Sequence, residues 1–186
     1  MPPGCSSLYR EKSASNSTGP AEIHSCYLTY KGDYLSIVKP ASHYPVANAL
    51  TEAQILELHS LFQQEWWSVG RSLEDVRTML QHSTLVFAIS DPDTHQVTAF
   101  ARVLSDRVFK ALVLDVIVHP MHRSAGLGSA LMANMMGHPA LSKVRHFELY
   151  CLPERAMFYQ RLGFTSELGD LLFMRRSQES HPSQSV

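Results

Sequence analysis

Hydrophobic and polar positions follow different periods along the chain, and each period predicts an element. Tyr34-Leu35-Ser36-Ile37-Val38 reads as a strand ended by Pro40, and Pro45 with Asn48 forms a turn leading to Thr51. Thr51, with Gln54 three residues on, has the form of a capping box. It opens a helix to about Trp66, whose apolar residues Ile55, Leu58, Leu61 and Phe62 recur at helical spacing. Ser72 with Asp75 repeats the device before a shorter helix marked by Leu73, Val76, Met79 and Leu80. The period then changes to that of strands. Leu85 to Ile89, Val97 to Leu104 and Ala111 to Val118 predict an antiparallel meander, with Asp91-Pro92-Asp93 as a turn. After Gly126, Leu127, Leu131, Met132 and Met135 return to helical spacing until Gly137 and Pro139. A strand from Val144 to Tyr150, a helix from Glu154 to Leu162 stopped by Gly163, and a last strand from Asp170 to Met174 complete the pattern.

This order predicts an α+β (mixed α/β) domain over residues 33–176 with a mixed, largely antiparallel sheet flanked by helices and no internal repeat. Residues 1–32 read as a Ser-rich tail with too few large apolar groups to offset ordering entropy, and 177–186 as a second short tail. A chain of 186 residues buries roughly 70% of its unfolded surface, enough for a core without disulfide or metal. Lys and Arg number 16 against 17 Asp and Glu, a net charge of -1, which supplies no long-range field for nucleic acid or anionic lipid. The apolar runs are broken short of the ~18 residues of a membrane span, so neither nucleic acid nor a membrane is expected as partner. Three unpaired-spacing cysteines, Cys5, Cys26 and Cys151, point to a reducing, cytoplasmic setting. The Ser-rich start with Arg10 and Lys12 leaves organelle targeting open.

The chemistry concentrates in Leu114-Asp115-Val116-Ile117-Val118-His119-Pro120-Met121-His122-Arg123-Ser124-Ala125-Gly126-Leu127-Gly128-Ser129: a strand, a donor-rich loop and the first turn of a helix. Free amides at such a helix start, with Arg123, form a cradle for phosphate oxygens. The segment lacks the Lys of a nucleotide P-loop, and the third small residue of a dinucleotide fingerprint is Leu131 here. The arrangement Arg-x-x-Gly-x-Gly instead resembles the pyrophosphate loop of the GNAT superfamily of acetyl-CoA-dependent N-acetyltransferases. Downstream, Glu148-Leu149-Tyr150-Cys151 and Met157-Phe158-Tyr159-Gln160-Arg161-Leu162-Gly163-Phe164 resemble the second signature of that superfamily.

The resemblance implies a GNAT-type fold whose splayed central strands receive pantetheine, and acetyl-CoA as donor cosubstrate. It assigns backbone groups of Val116, Ile117 and Val118 to pantetheine and the thioester carbonyl. The amides of Ser124, Ala125, Gly126, Leu127, Gly128 and Ser129, with the Arg123 side chain, fall to the diphosphate. Tyr159 falls at the general acid. Many relatives carry Glu or His where Leu112 and Leu114 stand, so the base is open: Asp115, or a water chain through Asp115, Glu148 or His119. Strand alternation turns Asp115 to the far face unless a bulge intervenes, and a structural pairing with Arg102 competes with a site role. Trp66, Trp67 and Arg102 are candidate acceptor contacts. The F-Y-Q-R-x-G-F run also resembles arylalkylamine N-acetyltransferases, which suits a small aryl or alkyl primary amine attacking directly in a ternary complex. A protein N-terminus or lysine as acceptor, and a non-catalytic CoA sensor, remain alternatives, as do monomer and homodimer. His119 and His122 lack a third ligand by spacing, so no metal is expected. Cys151 reads as a small buried residue or, with His146 or His119, as a nucleophile.

Overall fold

The computed structural model describes residues 45–177, together with the backbone of 27–31 and 34–38. The outer parts of both tails, at 1–26 and 178–186, lie outside the described residues, as does the Ser-rich stretch. Strands β1 (Tyr27–Lys31) and β2 (Tyr34–Val38) pair antiparallel as a separate hairpin, so β1 occupies residues read as tail from composition.

The main sheet is built from β3 (Val46–Ala47), β4 (Leu85–Ser90), β5 (Val97–Ser105), β6 (Lys110–Val118) and β7 (His146–Glu148), in that spatial order. Pairing is antiparallel from β3 to β6 and parallel between β6 and β7, which makes the sheet mixed as the element order requires. Helices α1 (Glu52–Phe62) and α2 (Leu73–Gln81) lie before the meander, α3 (Leu127–Met136) connects β6 to β7, and α4 (Ala156–Gln160) follows.

Strand alternation divides the core into two layers. On one face Phe87, Ile89, Ala99, Ala101, Val103 and Val113 pack against Leu127, Leu131, Met132 and Met135 of α3. On the other, Ala88, Phe100 and Ile117 meet Leu58, Leu61 and Phe62 of α1 and Val76 of α2. Each large side chain sealed there stabilises the fold by roughly 1.5–3 kcal/mol of transfer free energy. Both expected capping boxes form: Thr51 Oγ1 accepts from the Gln54 amide while Gln54 returns to the Thr51 amide, and Ser72 and Asp75 do the same.

Four elements differ from their sequence expectation. Helix α1 stops at Phe62, because Gln63 through Gly70 close a chain of turns instead. The strand expected over Val144 to Tyr150 is only His146–Glu148. The helix expected from Glu154 starts as a 3-10 turn at Pro153–Arg155 and becomes α-helical at Ala156. The segment from Asp170 to Met174 forms no strand and leaves Leu171, Leu172, Phe173 and Met174 exposed. Apolar periodicity gave Val144 to Tyr150 and Asp170 to Met174 their strand reading, but a strand also needs a paired edge.

Candidate functional site

Two features of β6 shape the site. The first is a bulge. Arg102 of β5 stands opposite Leu114 and Phe100 opposite Ile117, so three steps on β6 match two on β5. Asp115 absorbs the extra step with φ of +54°, a left-handed value that Asp and Asn tolerate better than most residues. The bulge turns its carboxylate toward the face carrying α1 and α2. There it accepts from Arg102 Nε and, at 3.0 Å, from Arg71 Nη2. The Asp115 side chain is 5% exposed and that of Arg102 14%.

The second feature is an early end to pairing. Strands β6 and β7 are joined only from Lys110/His146 to Leu112/Glu148, while β6 continues to Val118. The His119 amide donates to the Thr98 carbonyl at 2.8 Å, so by alternation the backbone groups of Ile117 face β5 and those of Val116 and Val118 face the other way. They look into the gap where β7 has left the sheet.

The loop after β6 continues this gap toward α3. Ser124 has φ of +71° and Gly126 +80°, and such reversals turn successive amides inward as a concavity. Gly126 also serves as the N-cap of α3 without any side-chain cap, so the first-turn amides of Leu127, Gly128 and Ser129 have no partner inside the helix. Gly128 is held close to the aromatic ring of α4: an added Cβ would stand 3.3 Å from Phe158 Cζ. Arg123 does not extend into this concavity. Its Nη2 bonds Glu65 Oε1 at 2.6 Å and its Nε donates to the Val118 carbonyl at 3.0 Å, tying the loop to the segment after α1.

Tyr159 packs edge-on against Phe158 and Phe164, on the α3 side of the sheet. Burial, helped by the nearby Cys151, pushes its hydroxyl up to about 12, with Arg155 opposing. Cys151 itself is a free, exposed thiol rather than the small buried residue its strand-end position suggested. His119 and His122 stack edge to face at 5.6 Å, and burial holds both imidazoles below the usual 6.5. Among the described residues no group of His, Cys, Asp and Glu is arranged to hold a metal ion. No helix there is long and apolar enough to cross a membrane.

The tryptophans divide. Trp67 packs edge-on to Phe62, with the Arg71 guanidinium 5.4 Å from its ring, whereas Trp66 is 69% exposed. Leu112 and Leu114 are half-buried and belong to neither core layer. Two residues at this site were not expected from sequence. Arg71 bonds Asp115 across 44 residues and Glu65 bonds Arg123 across 58. Their only local signal was their place in the polar linker around the tryptophans.

Comparison with known proteins agrees with this geometry. The family model described as an acetyltransferase (GNAT) domain matches residues 81–166. A solved GNAT-family protein of Xanthomonas campestris pv. campestris is 34% identical and superposes with a TM-score of 0.64, over 73% of this chain and 94% of that one. The N-acetyltransferase ycf52 of Porphyra purpurea is 29% identical over 61% of this chain and 66% of its own length. The chloroplastic serotonin N-acetyltransferase 2 of Oryza sativa subsp. japonica is 32% identical over 59% of this chain and 57% of its own. The chain therefore spans less than two thirds of either curated relative. With the bulged strand, the early parting of β6 from β7 and the uncapped glycine-led helix all in the order this likeness requires, the chain belongs to the GNAT family of acetyltransferases.

Proposed function

We propose that the protein transfers the acetyl group of acetyl-CoA to a primary amine of a small molecule by direct attack in a ternary complex. The observation that carries this reading is the parted edge of β6 leading to the uncapped start of α3. The backbone groups of Val116 and the amide of Val118 face the parted edge and pair with the pantetheine arm, the Val118 carbonyl following once Arg123 releases it, and the Val116 N-H polarises the thioester carbonyl. The amides from Ser124 to Ser129 take the diphosphate at the positive end of α3. Arg123 joins them once it exchanges Glu65 for phosphate oxygens.

Tyr159 acts at the sulfur. A hydroxyl raised to about 12 stays protonated across the working pH range, well above the ~8.5 of a thiol. It therefore stabilises the departing thiolate by donating a hydrogen bond more than by giving up its proton. The attacking amine loses its proton to water near Asp115, Glu148 or His119. Trp66, Trp67 and Arg102 line the acceptor side in this reading. The name of the rice relative supports a small arylalkylamine acceptor, and its chloroplast placement supports organelle targeting over a cytoplasmic setting.

Calorimetry with CoA and a thiol-release assay over an amine panel test the proposal. Saturable CoA binding with acceptor-dependent thiol release is the expected result. Binding without release at any pH from 6 to 10 would favour a sensor, and no binding would overturn the reading altogether.

A further inference from the structure

The acceptor side of the bulge holds two guanidiniums and one carboxylate. Arg71 and Arg102 both donate to Asp115, and the cluster keeps one positive charge in excess. Three carboxylates of the surrounding elements are engaged elsewhere: Glu65 pairs with Arg123, Glu148 with Lys110, and Glu57 accepts from the Val97 amide.

Arg102 spends only Nε on Asp115. Its Nη1 and Nη2 groups make no hydrogen bond among the described residues, and its side chain is 14% exposed. A largely buried guanidinium whose two Nη groups are unspent is a ready-made bidentate donor. Arg71 is equally fixed. Its carbonyl accepts from Gln63 Nε2 at 2.9 Å and lies 3.0 Å from His59 Nε2, and its guanidinium stands over the rings of Phe62 and Trp67.

We infer that the acceptor is an amine that also carries a carboxylate, which the Arg102 fork binds while Arg71 and Asp115 hold that fork in place. The inference rests on the N-acetyltransferase reading above and replaces its plain arylalkylamine acceptor with a carboxylated amine. One excess charge and one planar fork match a carboxylate better than a dianionic phosphate. Arg102 is here a specificity-determining residue, and Arg71 and Asp115 are positioning residues.

The test pairs amines that differ only in the carboxylate: tryptophan against tryptamine, phenylalanine against phenethylamine, and β-alanine against ethylamine, each with acetyl-CoA and thiol release as readout. The expected result is a kcat/KM at least about 10-fold higher for the carboxylated member, carried mainly by KM. Arg102→Leu brings the ratio of each pair close to one, and Arg102→Lys restores part of it. Thiol release by the wild-type protein that is equal or faster with the amines lacking the carboxylate overturns the inference and leaves the acetyltransferase reading standing. Acetyl-CoA binding with no release for any amine overturns both. The wild-type comparison does not depend on either variant folding.

Discussion

Tyr159 and the histidine pair show how burial tunes single groups. Tyr159→Phe is expected to leave acetyl-CoA binding intact and to lower turnover by about 10- to 10⁴-fold, read from steady-state kinetics beside calorimetry. A silent substitution removes Tyr159 from the mechanism. Because its folded-state value lies near 12, above that of an unfolded tyrosine, the associated stability is complete below about pH 10 and lost as pH rises toward 12. A spectrophotometric tyrosine titration should show one late-ionising hydroxyl that is missing in the phenylalanine variant. His119 and His122 have the opposite sign. Both are held below 6.5, so their contribution is present above that pH and declines as the medium is acidified. Denaturation midpoints measured from pH 7.5 to 5 should fall less steeply in a His119→Asn, His122→Gln protein.

Among the elements, the bulge of β6 carries the most. Asp115→Asn keeps a side chain that accepts the left-handed backbone but removes the charge shared by Arg71 and Arg102. It is expected to cost about 2–4 kcal/mol, below the full range for a sealed pair because Arg71 remains partly exposed. Urea denaturation gives that number directly. What the sequence disclosed at this scale follows from range. The capping boxes at Thr51 and Ser72 are three-residue devices, and both were legible. The glycine-led start of α3 was legible for the same reason. The turn of Asp115 depended on a bulge whose existence the strand pattern could only state as a condition. The partners Arg71 and Glu65 lie 44 and 58 residues from the groups they bind, a distance over which no periodicity carries information. The segment from Asp170 to Met174 failed in the other direction: its apolar run satisfied a local rule, yet it stands outside the sheet.

For the whole molecule, ligand and stability are linked. A donor bound only by the folded chain adds about 2.7 kcal/mol at a concentration 100 times its dissociation constant, which for a protein of this size raises the melting temperature by roughly 5–10 °C. Acetyl-CoA should produce that shift in the wild-type protein. In Gly126→Val it should be smaller by more than half, because a β-branched residue cannot hold φ of +80° without strain. The same ion pair that ties Arg123 to Glu65 connects the loop proposed to hold the diphosphate to the tryptophan-bearing linker. Glu65→Gln is therefore expected to alter acetyl-CoA affinity and acceptor KM together, measured by calorimetry and initial rates.

Helices α1 and α2 close their own first turns, while α3 begins on a bare glycine. In the absence of donor, the opening turn of α3 should trade its amide protons with deuterated solvent sooner than the first turns of the other two. Occupation of the loop should slow that exchange at Leu127, Gly128 and Ser129, so that the cosubstrate supplies the cap the chain itself omits.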